Sequence, residues 1–117
     1  MRTLKFIVEG QIIRQDPSCD FTNLVPGSEG YLQAEFSFTP EWTDCVKVAG
    51  FYSAMGKEYP PQVLHNGKTC VIPSEALKRQ IFKIRVVGRK DNLKLATNKV
   101  QYPMASQANS IKYLENI

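Results

Sequence analysis

The chain has 117 residues, of which 43% are hydrophobic and 22% charged, and its formal net charge at pH 7 is +4. A chain of this length folds as one domain and buries roughly two thirds of the surface that its unfolded form exposes, which excludes a disordered chain and a fibrous repeat. Its apolar runs are too short to span a bilayer, and Glu9 interrupts the N-terminus before a signal-peptide core develops, so we expect no membrane segment and no secretion by signal peptide.

The three cysteines, Cys19, Cys45 and Cys70, are widely spaced and form no C-x-x-C pair. An odd number of separated cysteines favours free thiols over a disulfide framework. Zinc prefers four Cys or His ligands at short spacings, and the only histidine of the chain is His65. The sequence therefore predicts no metal site and no cofactor.

The first half of the chain alternates apolar and polar residues, which predicts short strands with one buried face. We expect strands in "TLKFIVEG", where Leu4, Phe6 and Val8 share the buried face, in "QIIRQD" after a bend at Gly10, in "YLQAEFSF" and in "CVKVAGFYS". Residues 16–30 are rich in Pro, Gly, Asp, Ser and Asn and predict a loop. The segment "TPEWTD" predicts a turn from which Trp42 folds back as a core plug rather than as the wall of a ligand groove.

The middle of the chain contains two turn signals. Asn66-Gly67 predicts a hairpin turn between "PQVLH" and "KTCVI", because a type I′ turn needs positive φ at both central residues. The segment "PSEALKRQ" predicts a short helical turn near residues 73–79 that Ser74 caps.

The last strands carry one irregularity. The segment "IFKIRVVGR" is expected to place Phe82, Ile84 and Val86 inward and Lys83, Arg85 and Val87 outward, and "LKLATNKVQY" predicts the closing strand. The alternation of this closing strand breaks at Thr97 and Asn98. We expect a bulge there, or a side-chain-to-backbone hydrogen bond that redirects the strand.

The strand spacing predicts an all-β sandwich over residues 1–103, followed by a tail over residues 104–117. In the tail, Ile111, Leu114 and Ile117 lie three residues apart, which predicts a short helix. This helix either covers the open end of the sandwich or provides a small association surface.

Positive charge is concentrated late in the chain. Residues 77–100 carry a net charge of +7, whereas residues 1–76 carry −3. A local positive patch suits an acidic partner, nucleic acid included, although a solvated basic face is the simpler interpretation. The candidate partner-contact residues combine this patch with the tail: Lys83, Arg85, Arg89, Lys90, Lys94, Lys99, Ile111, Tyr113 and Leu114.

Signals for catalysis are weak throughout the sequence. It contains no Gly-rich phosphate loop, no G-x-S-x-G motif and no H-E-x-x-H motif. His65 directly precedes the Asn-Gly turn, where an exposed polar residue is expected. We therefore predict a protein without catalytic residues.

The order of the strand motifs resembles the Ig-like β-sandwich at the N-terminus of BppU-type baseplate and tail-associated proteins of phages that infect Gram-positive bacteria. An "AxFxF" strand ends in a turn with "EW", a "vKxAxF" strand follows, a hairpin ends in "C.IPxEaL", and a last segment contains "TNkV". The matching residues span most of the chain: Phe36, Phe38, Glu41, Trp42, Val46, Lys47, Ala49, Phe51, Cys70, Ile72, Pro73, Glu75, Ala76, Leu77, Thr97, Asn98, Lys99 and Val100.

The resemblance implies a small antiparallel Ig-like sandwich that serves as a rigid, non-catalytic module in a tail or receptor-binding assembly. The residues expected to define this fold are the aromatic, proline, leucine and "TN" positions of those motifs: Phe36, Phe38, Trp42, Phe51, Pro73, Leu77, Thr97 and Asn98.

Three functions follow from these observations. We expect a phage structural or accessory protein of the tail or baseplate that acts in the virion by protein–protein contact. The alternative is a phage-encoded inhibitor that binds and blocks a host defence protein in the host cytoplasm, and the third is a nucleic-acid binder that uses the basic segment 78–99. Any self-association is expected to give a C2 homodimer, the commonest soluble oligomer.

Overall fold

A computed structural model describes residues 1–78 and 81–103. The predicted tail helix therefore lies outside the described residues. The described part contains nine strands and two short 3₁₀ helices: β1 (Arg2–Glu9), β2 (Ile12–Gln15), β3 (Leu32–Phe38), a 3₁₀ helix (Pro40–Trp42), β4 (Val46–Ser53), β5 (Gln62–Val63), β6 (Thr69–Val71), a 3₁₀ helix (Ser74–Leu77), β7 (Ile81–Lys90), β8 (Leu93–Ala96) and β9 (Val100–Pro103).

The strands form two sheets that pack face to face, which confirms the predicted all-β sandwich. The first sheet has the order β2-β1-β3-β6, and the second has the order β5-β4-β7-β8, with β9 also paired to β7. One pair departs from the antiparallel expectation, because β1 and β3 run parallel, from Arg2 opposite Leu32 to Val8 opposite Phe38. The long segment between β2 and β3 returns the chain to the start of β1, which gives β3 the same direction as β1.

The core lies between the inner faces of the two sheets. The residues expected inward on β1 (Leu4, Phe6, Val8) and on β7 (Phe82, Ile84, Val86) are all buried. Among the fold-defining residues, Phe36, Trp42, Phe51, Pro73 and Leu77 are also buried, and Phe38 packs against this core while partly exposed.

Trp42 is a core plug, as predicted. Its side chain is 0% exposed, and its indole Nε1 donates a hydrogen bond to the carbonyl of Gly10 at 2.8 Å. A buried indole needs such a partner, because the N–H would otherwise lose its hydrogen bond to water. The bond also fixes the turn between β1 and β2, where Gly10 adopts a positive φ of 58° and forms a tight hairpin rather than a bend within one strand.

The Asn66-Gly67 turn forms with positive φ at both residues, 52° and 67°. The turn joins "PQVLH" to "KTCVI" as predicted, but the two strands beside it do not form one hairpin. β5 pairs with β4 in the second sheet, β6 pairs with β3 in the first, and only an isolated bridge between His65 and Thr69 connects them. The prolines before β5 limit that strand to two residues. The turn after it carries the chain from the second sheet to the first.

The predicted helical turn after β6 is the 3₁₀ helix Ser74–Leu77. Ser74 does not cap it: Pro73 occupies the N-cap position, and the Ser74 hydroxyl forms a hydrogen bond with the carboxylate of Glu75 at 3.3 Å. A proline at this position sets the entry angle of the chain without a side-chain cap.

The irregularity at Thr97 and Asn98 is a bulge that divides the closing strand into β8 and β9. Val87 faces Ala96 on one side of it and Ile84 faces Val100 on the other, so three residues, 97–99, lie opposite two, 85–86. The Thr97 hydroxyl accepts a hydrogen bond from the Val86 N–H at 3.0 Å. The predicted bulge and the predicted side-chain-to-backbone bond are therefore both present.

Candidate interaction surface

The outer face of the second sheet is defined by the alternation of β7. Because Phe82, Ile84 and Val86 are buried, the odd-numbered residues 83–89 of this strand point away from the core. The strand registers then place the neighbours on β4, β5 and β8 on the same outer face.

A row of aliphatic side chains crosses this face perpendicular to the strands. Val48 of β4 lies opposite Val63 of β5 on one side and Val87 of β7 on the other, and Val87 lies opposite Ala96 of β8. We call these four residues the aliphatic row: Val63, Val48, Val87 and Ala96. Val63 is 68% exposed, and Val46, two residues before Val48 on the same strand, is 64% exposed.

Cations flank the aliphatic row on both sides. On one side, Arg89 lies between Val46 of β4 and Lys94 of β8. On the other side, Arg85 lies opposite Gly50, and Lys83 lies opposite Tyr52. Apolar side chains thus form the middle of the face and positive charge forms its margins.

Tyr52 organises the margin that contains Arg85. A Cβ atom added to Gly50 would lie 2.7 Å from the Tyr52 hydroxyl, so the tyrosine side chain lies directly over Gly50. The Nζ of Lys99 lies 4.0 Å from the centroid of the Tyr52 ring, which is the geometry of a cation–π contact. This contact brings Lys99, which belongs to the bulge, onto the outer face.

The structure therefore brings five of the six predicted cations to one face: Lys83, Arg85, Arg89, Lys94 and Lys99. Lys90 is the exception, because it shares the inward parity of Val86 and extends past the core at the end of β7. The other predicted contact residues, Ile111, Tyr113 and Leu114, lie outside the described residues. The role of all these residues in partner contact stays a prediction.

Little negative charge opposes these cations. Glu58 forms an isolated antiparallel β-bridge with Tyr52. This pairing places the Glu58 carboxylate at one corner of the face. Within residues 1–78 and 81–103, one ion pair has a separation below 4.0 Å. It joins Arg14 to Glu9, and both residues belong to the first sheet. The Nε of Arg85 is buried and has no hydrogen-bond partner among the described residues. The charge of this face is thus not neutralised by the sandwich itself.

The outer face of the first sheet has a different character. Lys5 lies opposite Glu35 there, and the Arg14–Glu9 pair is 2.7 Å apart, so charges of both signs are interspersed. Such a mixture is typical of an ordinary solvated surface. The contrast identifies the second sheet as the candidate interaction surface.

The cations of this face are evident from the sequence, whereas the aliphatic row is not. Val87 was expected to point outward, and an apolar residue at an outward position is a signal of contact. The positions of Val48, Val63 and Ala96 beside it depend on strand registers that a single sequence does not specify.

A groove of about 610 Å³ lies beside the end of β3 and offers no comparable set of groups. Phe38 lines it, with its ring centroid 5.3 Å from that of the buried Trp42, and the Nζ of Lys47 lies 5.1 Å from the centroid of the Phe38 ring. Its remaining charged groups are of both signs. The described part of the chain contains no group of three His, Cys, Asp or Glu side chains that could hold a metal ion.

The thiol of Cys70 is a poor nucleophile. Burial raises the pKa of Cys70 to about 12, so this thiol stays protonated at neutral pH. Cys45 is buried as well, whereas Cys19 is half-buried and lies 3.4 Å from the N–H of Lys5. The thiols in the described residues are free, as predicted.

Comparison with known proteins identifies no relative. No protein-family model, no curated protein and no solved structure matches the chain. The resemblance to BppU-type domains stays a prediction. In the part of the chain that the structure describes, no helix is long and apolar enough to cross a bilayer.

Proposed function

We propose that this protein is a non-catalytic binding module that acts by protein–protein contact through the outer face of its second sheet. The observation that carries the proposal is the aliphatic row, in which Val63 is 68% exposed and Val48, Val87 and Ala96 are half-buried. Val46, which lies outside the row on β4, is 64% exposed. A valine side chain on a solvated strand face forms no hydrogen bonds with water. A contiguous apolar patch that reaches the surface therefore marks an interaction site. Burial of this row by a partner supplies the driving force for binding.

The proposed assembly is a phage tail or baseplate, in which the module is a structural or accessory component. Support comes from the order of motifs that resembles BppU-type domains and from the sandwich that this resemblance implies. A rigid two-sheet scaffold suits such a role, because a preformed face loses little conformational entropy when it docks.

Purified phage particles from a producing culture test this proposal. Mass spectrometry is expected to detect the protein in the particles, in a fixed ratio to the major tail protein. Absence from particles would contradict the structural role and would leave the inhibitor of a host defence protein as the function to pursue. Neighbouring genes add an independent criterion, since a tail-gene cluster supports the first function and an early-gene cluster supports the second.

A further inference from the structure

Resting on the proposed function, we infer the chemistry of the partner: the outer face of the second sheet binds an acidic protein surface with an aliphatic centre. It does not bind a second copy of this chain.

The charge of the face is the first argument. Five cations (Lys83, Arg85, Arg89, Lys94 and Lys99) lie on it, and Glu58 at the corner is the carboxylate that the described strand pairing places beside them. Opposite charge across an interface speeds encounter and selects the correct partner. A partner whose carboxylates flank the contact therefore complements both margins of the face.

The aliphatic row is the second argument. It runs across four strands, which are about 4.8 Å apart, so its length is about 14 Å. The margins contain the charges and the middle contains Val48, Val63, Val87 and Ala96, as in an interface with an apolar centre and a polar rim. A partner of uniform negative charge leaves this row uncovered, so the partner also presents aliphatic side chains.

The same arrangement disfavours self-association through this face. In a C2 dimer the same patch meets itself, so each copy would bring Arg85, Arg89 and Lys94 against the cations of the other. Like charges placed against one another at an interface oppose binding. C2 dimers are the commonest soluble oligomers, but we do not expect a C2 homodimer to form through this surface.

Nucleic acid fits the face less well. A single-strand binder stacks bases on exposed aromatic rings, whereas the ring of Tyr52 is in contact with the Nζ of Lys99 and its hydroxyl end lies over Gly50. Phosphate binding needs a continuous track of cations, and the aliphatic row interrupts that track. These features favour an acidic protein surface.

Selection from a library of short random peptides displayed on phage tests the inference without knowledge of the partner. The full chain serves as bait, and bound peptides are sequenced. We expect enriched peptides to combine Asp or Glu with Val, Ile or Leu. Synthetic copies are expected to bind Lys94→Glu at least about tenfold more weakly than wild type, because the reversal places negative charge against the acidic probe. Lys68→Glu is the matched control, since Lys68 is also exposed but lies on the turn between the sheets.

Peptides that are neutral or basic, or that bind wild type and Lys94→Glu equally, would overturn the inference. Two further experiments test the alternatives. A low-salt gel shift with a single-stranded DNA oligonucleotide tests nucleic-acid binding, and sedimentation velocity of the protein alone tests self-association. A DNA shift that Lys94→Glu abolishes, or a dimer that Val63→Glu dissolves, would also overturn it. The particle assay is independent of the peptide selection. If acidic peptides are selected but the particles lack the protein, only the tail role is contradicted. If the particles contain the protein but the selected peptides are not acidic, only the partner chemistry is contradicted.

Discussion

The side-chain oxygen of Asn98 accepts a hydrogen bond from the backbone N–H of Ile13 at 2.9 Å, and so connects the two sheets. Asn98 belongs to the bulge of the closing strand, whereas Ile13 belongs to β2, the edge strand of the first sheet. The Asn98 N–H also donates to the Gln11 carbonyl at 3.1 Å. The interruption of the strand alternation therefore has a structural role, because it turns an amide side chain toward the other sheet.

Removal of this link should weaken the sandwich. Asn98→Ala leaves the N–H of Ile13 without its partner, and we expect a loss of about 1 kcal/mol in the free energy of unfolding. Urea denaturation followed by tryptophan fluorescence measures it. The control is Gln101→Ala on β9, an exposed residue for which a change within about 0.5 kcal/mol is expected. Equal effects of the two substitutions would show that the amide does not connect the sheets.

Thr97 permits a sharper comparison, because its hydroxyl can be removed or kept. Thr97→Val keeps the shape of the side chain but leaves the Val86 N–H without its acceptor, at an expected cost of about 1–3 kcal/mol. Thr97→Ser retains the hydroxyl and should cost less. If the valine variant is as stable as the serine variant, the hydrogen bond does not stabilise the bulge.

Gly88 is the position where β7 approaches Trp42 most closely. A Cβ atom there would lie 2.8 Å from Cζ3 of the indole and 3.2 Å from Cβ of Cys45. We expect Gly88→Ala to cost about 1–3 kcal/mol through overpacking. Since Trp42 is the single tryptophan, its displacement is expected to shift the fluorescence maximum.

Gly50→Ala is the control for that experiment. Its Cβ would meet the hydroxyl end of Tyr52, which can move outward, rather than the indole. The tryptophan spectrum of this variant should stay that of wild type. An unchanged spectrum in Gly88→Ala as well would contradict the close contact between β7 and the indole.

The buried thiol of Cys70 predicts a pH dependence. Burial raises its pKa from 9.0 to about 12, so between these values the unfolded chain loses a proton that the folded chain keeps. This contribution to stability is fully present below pH 9 and decreases as the pH rises, by up to about 1.4 kcal/mol per pH unit.

The measurement is the free energy of unfolding from pH 8 to pH 11 for wild type and Cys70→Ala. Other titrating groups are common to both chains, so their difference isolates the thiol. The alanine variant should lose stability less steeply above pH 9, and parallel curves would show that the thiol titrates normally in the folded state.

Local patterns predicted much of this fold because the core faces obey strand periodicity. Alternation alone indicates the shared face of Leu4, Phe6 and Val8, and the break in alternation at Thr97 and Asn98 indicates a bulge or a side-chain-to-backbone hydrogen bond, both of which are present. Such signals lie within a few residues of one another in the sequence.

The failures concern long-range pairing. The parallel pairing of β1 with β3, and the separation of β5 and β6 into different sheets, depend on where loops return the chain. For the same reason the aliphatic row was not predicted, since Val48 and Val63 become neighbours only through the register between β4 and β5. Register is set by packing and turn geometry together, and a single strand does not encode it.

The central claim is that the outer face of the second sheet makes the contact. The most direct test compares incorporation of two valine-to-glutamate variants into phage particles that lack the wild-type protein. Val63→Glu alters the aliphatic row on β5, whereas Val71→Glu alters an exposed valine on β6 of the first sheet. Both lie at the surface and are expected to leave the melting temperature nearly unchanged, which calorimetry checks.

We predict that quantitative mass spectrometry finds Val71→Glu in particles at the wild-type ratio and Val63→Glu reduced at least about tenfold, since in the proposed complex the new carboxylate faces an acidic partner. Equal incorporation of the two folded variants would contradict the account.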